Sequence, residues 1–204
     1  MKKSPTYNSP LRREQAEQTR SRIVGAAVDL IVGGEEAVTM QGVADAAQVA
    51  VRTVFWHFST REKLLDAVWK DMQDRLGEAP DLETLDDLTD FIPELFGRYG
   101  AMESQIRGAM FSQTLVTENV SRAHSQRAQK IRDAVAAQFN GGDQRSRAIA
   151  TAVSYTLTVP LVSMVLKEAY GARSWPEAAQ ACTWAIRTLA AAYAENPEAV
   201  IEQA

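Results

Sequence analysis

Cysteine is nearly missing from this sequence, since Cys182 is the single one in 204 residues. One cysteine excludes a disulfide scaffold, and it leaves no Cys-x-x-Cys pair or Cys/His cluster of the kind that holds zinc. We therefore predict no metal and no cofactor, and we expect the reducing cytoplasm as the compartment. We expect no signal peptide either, because the first apolar stretch starts near Ile23 and is amphipathic.

Long hydrophobic runs are scarce as well, and one segment alone needs a membrane test. Residues 148–166 hold nineteen positions without a charge, which is long enough to cross a bilayer. Hydroxyl side chains and Pro160 interrupt this segment, and a proline inside a helix kinks it. The segment therefore predicts a buried helix of a helical bundle and not a membrane span.

The sequence has no overall excess of positive charge, because its formal net charge is −4. Any nucleic-acid partner must therefore meet a local surface. Residues 1–63 carry nine Lys or Arg against seven Asp or Glu, whereas the other residues carry thirteen against nineteen. Such an N-terminal segment is either a solvated tail or an arm that contacts phosphates, and both interpretations stay open. Its basic residues are Lys2, Lys3, Arg12, Arg13, Arg20 and Arg22.

The hydrophobic pattern is helical almost throughout, and no stretch alternates convincingly in the manner of a strand. We predict an all-α protein with two domains. Residues 1–61 would form an N-terminal arm and a head of three helices, and residues 62–204 a helical bundle. Gly and Pro positions divide the stretch 62–195 into five or six helices.

Three short helices fit into about forty-five residues of the N-terminal part, and a tight turn at residues 47–49 joins two of them. This spacing is typical of a helix-turn-helix. Apolar residues of the second and third helices account for the buried faces, which leaves a polar and aromatic set on the third helix with little reason to be buried. Such donors and aromatics suit a surface that reads a DNA groove, although a Phe or Trp taken singly is more often a core or interface residue. The set is Arg52, Thr53, Phe55, Trp56 and His57.

These residues resemble the N-terminal DNA-binding segment of the tetracycline-repressor (TetR) family. The similarity covers residues 14–70 and is carried by Thr53-Val54-Phe55-Trp56-His57-Phe58, followed at a fixed distance by Arg61-Glu62-Lys63-Leu64-Leu65. The resemblance implies a transcription regulator, commonly a repressor, that binds a palindromic double-stranded DNA operator as a homodimer. It implies no enzymatic activity.

The resemblance also implies roles for individual residues. Positions that hold DNA phosphates in the family are matched by Thr39, Thr53, His57 and Arg61. Positions that face base edges are matched by Gln41, Ala50, Val51, Arg52 and Trp56. Phe55 matches an aromatic that is often Tyr, whose hydroxyl reaches the DNA backbone, and Phe lacks that hydroxyl. Arg52 is the best candidate for direct readout, because a guanidinium offers two parallel donors to a guanine.

Two positions depart from the family pattern in a way that weakens the motif physically. Gln48 stands in the turn where Gly is usual, and a left-handed backbone there costs roughly 1–2 kcal/mol. Ala50 stands where Ser often caps the recognition helix, and a missing cap costs about 1 kcal/mol. We therefore expect a recognition helix that is mobile until DNA orders it, with fast amide exchange from Gln48 to Arg52.

The resemblance implies a two-fold dimer that places two recognition helices about 34–36 Å apart, one turn of duplex. The last helix offers a stripe of small residues for that interface, and with the helix at 148–166 it would form a four-helix bundle across the dimer axis. The alternative is that the stripe packs inside its own subunit. Its members are Ala178, Ala181, Cys182, Ala185, Ile186, Leu189 and Ala192.

A small-molecule effector, by the same resemblance, would bind among the central helices. An apolar pocket with few polar groups suits a small hydrophobic effector, whose identity the sequence does not reveal. The alternative is that the Met and aromatic stripes are simply core. The candidates are Trp69, Met72, Phe91, Leu95, Tyr99, Met102, Met110, Phe111, Gln113, His124, Tyr155 and Thr156.

Two other functions compete with a ligand-responsive regulator. One is an α-helical small-molecule-binding protein or enzyme without DNA binding, although no G-x-S-x-G elbow, P-loop or H-E-x-x-H motif occurs. The other is a regulator that senses another protein or nothing at all. DNA binding that weakens steeply with salt separates a regulator from the first alternative.

Overall fold

The computed structural model describes residues 10–110, 126–169 and 173–198, and within them every regular element is helical. This confirms the predicted all-α class. Between residues 61 and 195 the described ranges hold seven α-helices, more than the five or six expected. The described α-helices are α1 (Pro10–Leu30), α2 (Met40–Ala46), α3 (Val51–His57), α4 (Arg61–Leu76), α5 (Leu85–Ala101), α6 (Glu103–Met110), α7 (Gln126–Ala137), α8 (Gln144–Thr156), α9 (Pro160–Ala169) and α10 (Trp175–Glu195).

The described residues divide into two compact units. We call residues 10–75 with 107–110 the head unit, and residues 76–106, 126–169 and 173–198 the bundle unit. Nearly all of α4 thus clusters with the head, whereas the sequence pattern suggested a division before that helix. The division of the chain into functional domains at residue 61 stays a prediction.

The head unit is built on the second half of α1, which packs against α2. Ile23, Ala27 and Val28 of α1 are fully buried, as is Val43 of α2. Gly108 of α6 belongs to the same unit, and a Cβ at this position would overlap the carbonyl oxygen of Ile31. Only glycine lets the α6 backbone approach the end of α1 so closely.

In the bundle unit, α5 packs mainly on α10, α7 packs on α8, and α9 packs on α10. The rings of Phe96 and Tyr99 of α5 lie 5.7 Å apart, and their centroids are 6.2 and 6.1 Å from that of Trp175 of α10. The Tyr99 hydroxyl donates a hydrogen bond of 2.8 Å to the carbonyl oxygen of Thr158. The buried phenol is therefore satisfied, as a polar group inside a core must be.

The uncharged segment 148–166 is not one helix as predicted but two. Helix α8 ends at Thr156, α9 begins at Pro160, and the two helices bend by 63° at the break. Proline has no backbone N–H to continue the ladder, so it suits the first position of a new helix. In the described ranges no single helix has the length and hydropathy of a membrane span, and only this bent pair passes such a test jointly.

Candidate nucleic-acid interface

Helix α2 is short but well terminated at its start. Thr39 is its N-cap, and the Thr39 hydroxyl oxygen accepts a 2.9 Å hydrogen bond from the amide of Gly42. Thr39 and Gln41 are both exposed. The Gln41 amide donates to the Asp45 carboxylate at 2.7 Å, one helical turn further on. One orphan donor of the helix start is thus satisfied by a side chain.

The turn after α2 has the geometry that the sequence pattern predicted. Gln48 has φ 53°, and among the described non-glycine residues no other has a positive φ. The Val49 amide donates to the Ala44 carbonyl at 2.9 Å, and the Gln48 amide donates to the Asp45 carbonyl at 3.2 Å. These two bonds are the Schellman pair that closes many helices, with Gln in the position that glycine usually takes. The left-handed backbone at Gln48 is confirmed.

Helix α3 begins without the side-chain cap that α2 has. Its N-cap is Ala50, and no cap bond is found there among the described residues. Of the seven α3 residues, all of which the structure describes, Val54 alone is buried. Phe55 is 49% exposed and Trp56 is 73% exposed. A short helix anchored by one valine therefore turns two large aromatic side chains to the solvent.

The other predicted contact residues of α3 and its N-cap are accessible to different degrees. Ala50 and Arg52 are exposed, and Val51, Thr53 and His57 are half-buried. The exposed guanidinium of Arg52 and the exposed aromatic rings thus lie on the same helix, as a groove-reading surface requires. The first-turn position of α3 is the one that enters a groove in helix-turn-helix proteins.

The end of α3 rests on α1 through a contact that sequence reasoning missed. The Arg20 guanidinium lies 4.2 Å from the centre of the Phe58 ring, and its Nη1 donates to the His57 carbonyl at 3.4 Å. Partial burial, and next the charge of Arg20, lower the pKa of His57 below its ordinary value. His57 is therefore neutral at pH 7. Its ring meets that of Trp56 edge-on at 4.5 Å.

Arg61 is engaged inside the chain. Its Nε donates to the Val38 carbonyl at 2.8 Å, its Nη2 to the Glu35 carbonyl at 2.6 Å, and its Nη1 to the Glu35 carboxylate at 3.1 Å. The Arg61 and Glu35 side chains are 30% and 12% exposed. Three guanidinium nitrogens thus hold the start of α4 to the segment that precedes α2. These bonds give Arg61 a positioning role in the free protein, and the phosphate contact that the family resemblance implied for it stays a prediction.

Arg20 and Glu35 are the residues of this site whose roles sequence reasoning missed. Arg20 did carry a signal, because it lies three residues before Ile23 on the inner face of α1. Glu35 carried none, since nothing local distinguishes it from Glu36. Its bond to Arg61 spans twenty-six residues of chain.

The predicted effector-pocket residues occur in both units. Trp69 and Met72 lie in the head unit, whereas the α5 candidates and the α8 candidates lie in the bundle unit. Phe91, Leu95, Tyr99 and Met102 are buried, which fits the core alternative that the sequence left open. Tyr155 is half-buried and Thr156 exposed. The side chain of Met110, and the whole of Phe111, Gln113 and His124, lie outside the described residues.

The described part of the chain contains neither a reactive cysteine nor a cluster of metal ligands. Cys182 is buried, and burial raises the pKa of its thiol to about 12, so a reactive thiolate is not populated at neutral pH. In the described ranges no three His, Cys, Asp or Glu residues are placed to hold a metal ion together.

The geometry defines a class: a helix-turn-helix DNA-binding head followed by a helical bundle. Residues 23–68 match the family model described as bacterial regulatory proteins, tetR family. The matched residues include all of α2 and α3 with the intervening turn. Through this segment the chain is similar to the tetR family of regulatory proteins, as the residue pattern implied.

One curated relative supports the same family. The chain is 31% identical over 125 residues to the HTH-type transcriptional repressor KstR of Mycobacterium tuberculosis. The alignment covers 61% of this chain and 54% of the relative. The chain thus spans about half the length of that repressor.

Proposed function

We propose that this protein is a ligand-responsive transcriptional repressor of the cytoplasm, and that a small hydrophobic effector releases it from a palindromic operator. The observation that carries DNA binding is the exposed face of α3, where Arg52, Phe55 and Trp56 stand out from a head that matches the tetR family model. Large exposed aromatics on a seven-residue helix cost solubility unless a partner covers them.

On this face we assign direct readout to Arg52, with a guanine as its target, because guanidinium and guanine pair through two parallel hydrogen bonds. Gln41, Ala50, Val51 and Trp56 complete the base-facing set, and Phe55 lies against them. A Phe or an Ala methyl suits the methyl group of thymine. The operator should therefore require at least one guanine and be sensitive to removal of thymine methyl groups.

Phosphate contacts would come from Thr39, Thr53 and His57. The Thr39 oxygen accepts the Gly42 amide, so its hydroxyl hydrogen stays available for a phosphate oxygen. His57 acts as a neutral donor in the free protein at pH 7, given its lowered pKa. Such contacts orient the head without reading sequence.

The dimer that a palindrome requires would form through the last two helices. Leu161 and Val165 are exposed one turn apart on α9, and Trp184 of α10 is 70% exposed. In the predicted stripe, Ala178, Cys182 and Ile186 are buried within the subunit, whereas Ala181 and Ala192 face outward. The outward half of the stripe, together with Trp184, forms the proposed interface, and Trp is a residue type enriched at such centres.

The effector would bind in the bundle unit and act by differential affinity for two arrangements of the dimer. The hydroxyl of Ser154, fully buried on α8, has no partner in the described part of the chain, so a ligand that reaches it gains a hydrogen bond. A change in the separation of the two recognition helices would prevent both half-sites from being engaged. A coupling of about 1–3 kcal/mol changes operator affinity roughly 5- to 150-fold.

The test starts from duplexes that the wild-type protein selects out of a random pool. We expect affinity for the selected duplex to fall steeply as salt rises, and the selected sequence to be a palindrome. Trp184→Ala should yield a monomer by sedimentation and a loss of palindrome binding, whereas Trp69→Ala should leave the oligomeric state unchanged. Compounds are then screened for release of the bound duplex.

A wild-type protein that ignores every duplex at low salt would refute DNA binding. A dimer that survives Trp184→Ala unchanged would refute the assigned interface. Failure of every hydrophobic compound to release DNA would instead favour a regulator that responds to another protein or to nothing.

A further inference from the structure

Helix α1 changes character at Ile23. Residues 10–22 contain no buried side chain, whereas Ile23, Val24, Ala27 and Val28 in the next six positions are buried. More than three turns of helix therefore extend beyond the part that packs on the core. Helix without packing gains little from the hydrophobic effect and is marginal in water at this length. A binding partner that contacts this extension would stabilise its helical conformation.

The charge of this extension is opposite to that of the whole chain. Residues 10–22 carry four arginines and two glutamates, a net +2, in a protein of net charge −4. Glu14 accepts a hydrogen bond from Gln18 at 3.4 Å, and Glu17 lies close enough to His57 to influence its titration. The basic side chains are Arg12, Arg13, Arg20 and Arg22.

The extension starts beside the recognition helix. Arg20 lies over the Phe58 ring and bonds the His57 carbonyl, at the end of α3. Arg13 precedes Arg20 by seven residues, which is two turns, so it lies on the same side of α1 and about 10 Å further along the axis. The exposed side chains of Arg12 and Arg13 therefore lie on the same helix, about two turns before the point where Arg20 of α1 touches the end of α3.

We propose that the first three turns of α1 bind the phosphate backbone of the operator just outside the half-site that α3 reads. This inference rests on the proposed DNA-binding function and deepens it. A partner of high negative charge must already lie next to α3, and each DNA strand presents a phosphate about every 3.4 Å. The 10 Å between Arg13 and Arg20 is thus long enough for α1 to reach more than one phosphate. The long flexible side chains of Arg12 and Arg13 reach them without sequence preference.

The experiment compares a selected operator that carries about 10 extra base pairs on each side, one further turn of duplex, with the same operator trimmed at its half-sites. Trimming should weaken wild-type binding several-fold. Arg12→Ala/Arg13→Ala should weaken binding to the long duplex by the same factor and make the protein indifferent to trimming. The slope of log affinity against log salt should fall by about 0.9 for each phosphate that the variant no longer neutralises. Arg12→Lys/Arg13→Lys should restore the affinity, because binding a phosphate needs charge more than geometry.

The matched control is Arg145→Ala/Arg147→Ala, which removes two exposed arginines from α8 in the bundle unit and should change none of these values. Helicity and melting temperature should be preserved in both double variants, because all four side chains are exposed. Equal responses of wild type and Arg12→Ala/Arg13→Ala to trimming would overturn the inference. The inference would also be overturned if Arg12→Ala/Arg13→Ala lost the same affinity for the trimmed duplex as for the long one. It would be overturned as well if the two arginines proved to support dimer formation instead of DNA binding. Wild-type protein that binds no duplex would refute the proposed function itself, before the variants are compared.

Discussion

The two short helices of the head have the same length and opposite constructions. Helix α2 is capped by Thr39 and buries Val43 and Ala44, whereas α3 has no side-chain cap in the described structure and buries Val54 alone. Helix α2 is thus stabilised by its N-cap and by the core, whereas α3 is held by Val54 and, at its end, by the contact of Arg20 with His57 and Phe58. The difference teaches that α2 contributes more to the stability of the head than α3 does. Helix α3 buries little of itself, and it therefore exposes Arg52, Phe55 and Trp56 to a partner.

The largest expected effect concerns Arg52 on α3. Arg52→Ala should reduce operator affinity about 5- to 150-fold and relax the preference at one base position. Because Arg52 is exposed, the melting temperature should not move. Arg145→Ala, also an exposed arginine, is the control in the same binding titration. A uniform loss at every base position would reassign Arg52 to the phosphates.

The second test asks whether Arg61 supports the helices or contacts DNA. Arg61→Ala removes the three bonds to Val38 and Glu35 and should lower the free energy of unfolding by about 1–3 kcal/mol. Chemical denaturation measures this loss. The salt slope of DNA binding, compared at a temperature where the variant is folded, should stay at the wild-type value. A slope smaller by about 0.9 with unchanged stability would establish a phosphate contact instead.

Substitutions of the two N-cap residues, Thr39 of α2 and Ala50 of α3, test the comparison of these helices directly. Thr39→Ala should cost about 1 kcal/mol, because it removes the acceptor of the Gly42 amide. Ala50→Ser supplies the acceptor that α3 lacks and should stabilise the protein by a similar amount. Amide exchange should be fast at Val51 and Arg52 and slow down in Ala50→Ser. Slow exchange at these amides in the wild type would show that α3 is already well ordered.

The turn between the helices should yield a smaller gain. Gln48→Gly relieves a non-glycine residue at φ 53°, but glycine also gains freedom in the unfolded chain, so the net stabilisation should be below about 1 kcal/mol. Gln48→Ala keeps the strain and should be neutral. Both are measured by thermal unfolding, and a destabilised Gln48→Gly would point to a side-chain contribution of Gln48.

The smallest effect is a pH dependence at the end of α3. The pKa of His57 is lowered in the folded protein, so stability should fall as pH decreases from about 6.5 through the folded-state pKa, where the unfolded chain binds the proton first. Nearby phosphates favour the imidazolium, so operator affinity should rise over the same range. His57→Gln should remove both slopes. An unchanged affinity profile in His57→Gln would exclude His57 from the phosphate contacts.

Much of the head could be predicted from local sequence, because its features are local. The position of the turn, the left-handed residue Gln48, the cap at Thr39 and the outward face of α3 all follow from residues within one or two helical turns of each other. The expectation of fast exchange over residues 48–52 stays a prediction. The amides of Gln48 and Val49 are bonded to carbonyls of α2, and such bonds appear only once the turn is built.

Other features required distant parts of the chain. The predicted single helix at 148–166 was divided at Pro160, because bonds made by Tyr99 and the hydroxyls near the break satisfy the interrupted backbone there. The small-residue stripe of α10 was divided into a buried and an exposed half by its packing on α5. Neither outcome can be read from periodicity, since a stripe shows which residues share a face and not what lies against it.

Residue types and their spacing were sufficient to predict an all-helical chain, a helix-turn-helix in residues 39–58 and the family that this motif resembles. What required the folded chain was the use of each charged side chain. Arg61, Arg20 and Arg52 are the same residue type in different environments. Arg61 joins two segments of the chain, Arg20 lies on the Phe58 ring, and Arg52 faces outward. The physical reason is that a guanidinium takes its role from the carbonyls, carboxylates and rings within about 4 Å of it, and folding alone brings those groups together.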